Sequence, residues 1–190
     1  PMLATQEIDL GILNNWDAEK GYLGESVYEK LSKGKGFPVR LVAISVNNAI
    51  GLIVAANSKI YKYSDLKGKK VAGNYPTPSL QLQTEALLAN GGVKWSEVTP
   101  IPVSSITEGV KAVIEGRADA ANVTIGTPII EELHAKSGAR FLPLDSSQEA
   151  VKISREKFPG YPLPITPGSG RTGIEKEQAM WAYDIYVVGR

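Results

Sequence analysis

The 190-residue sequence contains no cysteine and a single histidine, His134. The absence of cysteine excludes disulfides, thiolate metal ligands and cysteine nucleophiles. One histidine leaves almost no material for a zinc site or for a nucleophile–histidine pair. The GxSxG, HExxH and P-loop motifs are also absent from the sequence. The segment TPGSGRTG is rich in glycine, but neither a strand before it nor a helix directly after it supports a phosphate-binding loop. We therefore expect no catalytic residues, no metal and no cofactor.

Charge of one sign and long apolar runs are lacking as well. The 21 basic and 20 acidic residues give a net charge of +1, which argues against a nucleic-acid or anionic-membrane partner. No stretch approaches the ~20 apolar residues that span a bilayer, so we expect no membrane insertion. The sequence does not start with Met and shows no signal peptide, and we expect it to be a segment of a longer protein.

Short runs rich in β-branched residues predict strands in the first third of the chain, over residues 8–13, 39–46 and 50–56. Asn47 and Asn48 lie between the last two runs and are interpreted as turn residues. The polar stretch between the first two runs begins with NNWDAEKGYLGES and is interpreted as a loop.

From residue 70 onward, strand-like and helix-like segments alternate. The predicted elements are strands over 70–73, 98–103, 118–125, 139–144 and 179–188, and helices over 79–90, 105–116, 127–138 and 146–158. The first two helices carry apolar stripes at helical spacing, and a pair of glycines ends the first of them. Ser105 and Thr127 are interpreted as helix caps, and two prolines mark the strand over 98–103 as an edge strand. The Pro- and Gly-rich segment 159–173 is interpreted as an extended loop. Alternating strands and helices with short connections predict an α/β fold with a mostly parallel sheet.

The start of the helix over 79–90 is the first candidate ligand site. Helix N-termini leave backbone N–H groups unpaired and suit carboxylates and phosphates. Prolines in the preceding turn remove two donors, which leaves the amides of Ser79 and Leu80 and the hydroxyls of Thr77 and Ser79. The structural alternative is a plain helix start, with Thr77 as the cap and Pro78 at the first helical position.

Further candidate ligand-binding residues are polar or aromatic side chains at strand ends or within buried strands. They are Asn14, Asn15, Trp16, Tyr75, Asn122, Thr124, Gly126, Trp181 and Tyr183. Each has a structural alternative: packing for the aromatic rings, turn formation for the first asparagine pair, and hydrogen bonds to neighbouring backbone for the strand residues.

Several segments resemble known families. YSDLKGKKVA resembles the motif that enters the second lobe of type II periplasmic binding proteins. IDLGILNNW, VTIGTPIIEEL, ARFLPLD and AMWAYDIYVVGR, in that order, are similar to segments of the TAXI family of solute receptors of TRAP transporters. The resemblance covers nearly all of the chain, although DLKGKKV is shared by many binding-protein families.

The resemblance implies two α/β lobes with mostly parallel sheets, joined by hinge strands. Residues 1–48 would be part of lobe 1, 49–166 would be lobe 2, and 167–190 would return to an incomplete lobe 1. The implied function is that of a periplasmic or extracytoplasmic receptor without enzymatic activity. It would capture a small carboxylate or amino acid between the lobes and deliver it to TRAP-type membrane transporter subunits.

One segment departs from the family pattern, because a GSGT-like turn is replaced by NYPTPSL here. The two prolines leave room for a more apolar or aromatic acid. Three alternatives stay open: a binding protein for an ABC importer of sulfonates or pyrimidine precursors, an enzyme with the same fold, and the effector domain of a transcription regulator.

Overall fold

The structure, a computed structural model, describes Leu3, Thr5 and residues 7–189. Its elements are β1 (Leu10–Asn14), α1 (Asn15–Leu23), α2 (Glu29–Ser32), β2 (Arg40–Ala55), β3 (Lys70–Gly73), α3 (Pro78–Asn90), β4 (Thr99–Pro102), α4 (Ile106–Ile114), β5 (Ala121–Thr124), α5 (Ile129–Ser137), β6 (Ala139–Phe141), α6 (Gln148–Arg155), β7 (Tyr161–Ile165) and β8 (Gln178–Gly189). Within this described part, no helix is both long enough and apolar enough to cross a membrane.

The chain divides into two compact units. Unit 1 comprises Pro1–Asn48 and Tyr183–Arg190, and unit 2 comprises Ala49–Ala182. Two long strands, β2 and β8, each run from one unit into the other.

In unit 1, β1 pairs with the end of β8 in antiparallel register, from Leu10 opposite Gly189 to Asn14 opposite Ile185. The segment after β1 is the helix α1, and its interpretation as a loop was wrong. Its sequence carries helix signals despite its polarity, because the Asn14 side chain accepts a hydrogen bond from the amide of Asp17 and Gly24 ends the helix with a positive φ of 72°.

Strand β2 is a single strand of 16 residues, and the two predicted strands are its halves. Asn47 and Asn48 therefore lie inside the strand, and their interpretation as turn residues was wrong. Asparagine is common in turns because its side chain can hydrogen-bond to the nearby backbone. Here the side-chain Nδ2 of Asn48 donates to the Tyr183 hydroxyl at 2.6 Å, which links β2 and β8 where they leave unit 1.

Unit 2 contains a parallel core around β3. Strand β4 pairs with β3 along one edge, from Lys70 opposite Thr99 to Gly73 opposite Pro102. On the other edge, Val71 bridges to Ala120 just before β5, also in parallel. The strand order β4–β3–β5 leaves β4 at the outer edge, which suits its two prolines.

The α/β fold is confirmed, but the expectation of mostly parallel pairing was wrong. β2 pairs antiparallel with both β5 and β6, and β8 pairs antiparallel with β1 and β7. Alternating strand and helix segments reveal only connections between neighbours in sequence. The partners of β2 and β8 lie far away in the chain, so local patterns do not reveal their direction.

The predicted apolar stripes form the core of unit 2. In α3, Thr84, Leu87 and Leu88 are buried, and in α4 Val110 and Val113 are buried. Burying one such aliphatic side chain contributes roughly 1.5–3 kcal/mol. The other element boundaries shift by a few residues, and β7 lies within the segment interpreted as an extended loop.

Candidate functional site

The order of strands in unit 2 places a topological switch point at one end of the sheet. From β3 the chain passes through α3 to β4 on one side, and then through α4 to β5 on the other side. In open α/β sheets, ligands bind outside the carboxyl ends of the strands at the point where the connections reverse. Here that point lies between the turn after β3 and the loop after β5, and we call it the crevice.

The turn after β3 leads directly into α3. Asn74 has a positive φ of 53°, and its amide donates to Oε1 of Gln81 at 2.8 Å. Thr77 is the N-cap residue and makes no capping hydrogen bond through its side chain, and Pro78 opens the helix as predicted. The amide of Leu80 donates to the carbonyl of Thr77 at 3.2 Å, so one of the two predicted amide donors is used within the helix.

A buried polar cluster extends from the crevice between α3 and β5. Ser79 and Gln83 lie one turn apart on α3, each with 1% exposure, and Asn122 on β5 is completely buried. Nδ2 of Asn122 is 3.5 Å from Oε1 of Gln83, and Oδ1 of Asn122 has no hydrogen-bond partner. Thr124, two residues further on, lies on the same face of β5 nearer the crevice.

Tyr75 lies in the apolar core of unit 2. Its hydroxyl lies 3.2 Å from the point where a Cβ on Gly109 would stand, and it has no hydrogen-bond partner of normal geometry. Burial raises the pKa of Tyr75 to about 12, partly offset by the nearby Thr84 hydroxyl. That hydroxyl itself donates to the carbonyl of Leu80. The ring of Tyr75 is packed in the core, and its contact with a ligand stays a prediction.

The loop after β5 forms the other border of the crevice. Gly126 is exposed with a positive φ of 79°, which favours glycine. Thr127 does not cap α5 as predicted: its hydroxyl donates to the carbonyl of Thr124 at 2.7 Å, and Pro128 takes the cap position. The carbonyl of Gly170 lies 3.2 Å from the place of a Gly126 Cβ, so the Gly-rich loop 166–173 packs against this border.

The loop after β4 adds a carboxylate. Ser105 caps α4 as predicted, because its hydroxyl accepts from the amide of Glu108 at 3.2 Å. The Glu108 carboxylate in turn accepts from both the amide and the hydroxyl of Ser104, at 2.6 Å each. These hydrogen bonds lower the pKa of Glu108, which is therefore ionised at neutral pH.

The predicted residues of unit 1 lie around the start of α1. Asn14 caps the helix and also donates to the Asp17 carboxylate at 2.6 Å. Oδ1 of Asn15 accepts from the amide of Trp16, whose side chain is buried. Tyr183 accepts the hydrogen bond from Asn48. The structure thus shows structural roles for these side chains, and their ligand contacts stay predictions.

Trp181 is completely buried in unit 2. A Cβ on Gly160 would stand 2.5 Å from its indole nitrogen, so the ring packs directly against that backbone. This burial matches the structural alternative, in which the ring packs in a core.

The structure places six of the predicted candidates at the crevice or in its lining. They are Thr77, Ser79, Leu80, Asn122, Thr124 and Gly126. Gln83 and Glu108 also belong here and were missed as site residues. The sequence signal for Gln83 was its position, one helical turn after Ser79 on the same face of α3. Among the described residues, no cluster of three His, Asp or Glu side chains could hold a metal ion.

Comparison with protein families gives one match over most of the chain. The family described as NMT1/THI5 like matches residues 5–151. No match to a curated protein was found.

Solved structures match over 74–100% of the chain. The chain is similar to the periplasmic aliphatic sulphonate binding protein SsuA from Escherichia coli, with 22% identity over 74% of this chain and 42% of that chain, and a TM-score of 0.52. It is also similar to a putative periplasmic sulfonate-binding protein SsuA from Methylobacillus flagellatus KT, with 19% identity over 98% and 44% of the two chains and a TM-score of 0.54.

A third similar structure is an ABC transporter periplasmic binding protein from Brucella ovis with glutathione bound, with 13% identity over 100% and 44% of the two chains and a TM-score of 0.53. The chain thus spans less than half the length of these three proteins. At such identities the likeness shows the fold, which is the type II periplasmic-binding-protein fold.

Proposed function

Because the chain belongs to the NMT1/THI5-like family, we propose that it is part of an extracytoplasmic receptor that captures a small solute for a membrane transporter. The observation that carries the proposal is the crevice of unit 2, where the strand ends, the start of α3 and the buried Asn122 come together. Solute binding needs only such a shaped polar site, without covalent chemistry.

We propose an ABC importer as the partner. The similar solved structures are described as sulfonate-binding and ABC-transporter proteins, which supports the alternative raised from the sequence. A TRAP-type partner, suggested by the order of the TAXI-like segments, is the second candidate. Reconstituted ABC and TRAP membrane subunits, each tested for binding of the solute-loaded parent protein, would distinguish them.

An enzymatic role has less support. The crevice has one carboxylate, Glu108, and no histidine, so it lacks the pair of titratable groups that acid–base catalysis uses. We therefore propose that the solute leaves the protein unchanged, and we place the receptor outside the cytoplasm by analogy with the periplasmic proteins of this fold.

The first experiment is native mass spectrometry of the freshly purified chain, followed by denaturation to release and weigh any bound molecule. We expect a small-molecule adduct of one discrete mass. Asn122→Leu should remove the adduct, because it deletes the buried amide of the crevice. His134→Ala is the matched control, since His134 lies exposed on α5 and is expected to leave the adduct in place.

Two results would contradict the proposal. One is an adduct that survives Asn122→Leu in a folded variant, which would place the binding site elsewhere. The other is a bare dimer, which would favour a regulatory or assembly role for the chain.

A further inference from the structure

Four segments border the crevice of unit 2. One of them, the loop 166–173 beside Gly126, carries Arg171, whose guanidinium donates within that loop to Thr166. The other three are 74–81 after β3, 103–109 after β4 and 121–128 along and after β5. None of these three contains Lys, Arg or His, and Glu108 carries their only carboxylate. A carboxylate or sulfonate bound here would meet no counter-charge from these three segments and would be repelled by Glu108.

The start of α3 also offers few donors for an anion. Pro76 and Pro78 have no N–H group, and the amide of Leu80 is already bonded to the carbonyl of Thr77. An anion site at a helix start depends on several unpaired N–H groups that point at the ligand. This helix start therefore lacks most of what a carboxylate or sulfonate needs.

The lining of the crevice holds a buried acceptor without a donor, and an ionised carboxylate lies on a bordering segment. Oδ1 of Asn122 is completely buried and has no donor, and a buried acceptor left unpaired costs about 1–3 kcal/mol. The ionised carboxylate of Glu108 is a second strong acceptor. Gln83 lies beside Asn122 between α3 and β5, and Thr124 lies two residues further along the same face of β5.

We propose, on the basis of the proposed function, that the crevice binds the hydrogen-bond-donating end of the solute. That end is an amine, an amide or a hydroxyl group, and any acid group of the same solute is held by other parts of the receptor. This assignment reverses the orientation expected from the helix start alone, in which a carboxylate points at α3. It is compatible with an amino acid or with an uncharged polar solute.

The test is an NMR titration of the 15N-labelled chain with four probes of similar size. Ethylammonium and acetamide present N–H donors, whereas acetate and ethanesulfonate present only anionic oxygens. Shifts of the backbone amides of Ser79, Thr124 and Gly126 report binding at the crevice. At constant ionic strength we expect the donor probes to bind at least about tenfold more tightly than the anions.

Variants of two glutamates test the role of charge. Glu108→Gln keeps an oxygen that can accept from Ser104 and removes the negative charge, and we expect it to weaken ethylammonium binding at least about threefold. Glu115→Gln is the matched control, because Glu115 lies exposed after the far end of α4 and pairs with Arg117. It should leave ethylammonium binding unchanged.

Each outcome decides one question. Acetate or ethanesulfonate binding as tightly as the donors, or tighter, would overturn the inference and leave the proposed function standing. A titration in which none of the four probes shifts the crevice amides would overturn the proposed function for this crevice and the inference with it. Equal weakening by both glutamate variants would show a general charge effect and would also overturn the inference.

Discussion

The contact between Tyr75 and Gly109 allows a quantitative test of the core of unit 2. Replacing glycine by alanine inside a helix normally stabilises it by about 1 kcal/mol. A Cβ on Gly109 would, however, stand 3.2 Å from the Tyr75 hydroxyl and 3.3 Å from Cβ of Ala72. Overpacking of this kind costs about 1–3 kcal/mol, so we expect Gly109→Ala to lower the free energy of unfolding by about 1 kcal/mol.

Tyr75→Phe removes the oxygen that causes the crowding. This hydroxyl is buried without a regular partner, so its loss should leave stability unchanged or raise it by about 1 kcal/mol. In the double variant, Gly109→Ala should become neutral or stabilising, because only the contact with Ala72 remains tight. The cycle therefore predicts a coupling free energy of about 1–2 kcal/mol between the two sites.

Urea unfolding followed by circular dichroism measures all four free energies, provided that the slopes with denaturant agree. The Thr84 hydroxyl near Tyr75 is unchanged in every variant, so it cancels from the cycle. Additivity of the two substitutions within about 0.5 kcal/mol would refute the reasoning, because it would mean that the two side chains do not meet.

Leu133→Ala should lower the free energy of unfolding by about 2–5 kcal/mol, since Leu133 is completely buried. His134→Ala at the neighbouring exposed position should change it by less than about 0.5 kcal/mol. Equal losses of stability in urea unfolding would contradict the assignment of Leu133 to the core face of α5. The hydrogen bond from the Lys94 backbone amide lowers the pKa of Glu97 in the folded protein. Ionised Glu97 therefore stabilises the folded state fully above its ordinary pKa of about 4.5. This contribution to the free energy of unfolding is lost as the pH falls through the lower pKa of the folded state. Glu97→Gln should therefore make the urea midpoint less dependent on pH in that acid range, and an unchanged dependence would speak against the hydrogen bond. Burial raises the pKa of Tyr75 to about 12, so stability should fall as the pH rises from about 10 to about 12, and Tyr75→Phe should reduce that fall; identical alkaline midpoints would refute it.

Local signals in the sequence were enough for most elements of unit 2, although β7 was interpreted as part of a loop. Three such signals lie where the pattern predicts them: the cap at Ser105, the proline at the start of α3 and the glycine after the end of α3. Each acts within a few residues. The prolines of β4 likewise predicted an edge strand. These features depend on backbone donors and allowed dihedral angles, which neighbouring residues control.

The tertiary structure decided what depends on distant residues. The sequence pattern could not show that β2 is one strand, because the hydrogen bond of Asn48 is made by Tyr183, 135 positions away. The same holds for the direction of strand pairing and for Gln83, whose place in the site depends on Asn122 of another strand.

The sequence by itself thus determined the α/β class, most elements of unit 2 and the start of α3 as a candidate site. Only the tertiary structure showed which polar side chains share the crevice and that Tyr75 and Trp181 are buried. The physical reason is that a side chain's exposure and partners depend on the elements packed against it. Those elements come from all parts of the chain, whereas propensity and capping operate within one turn.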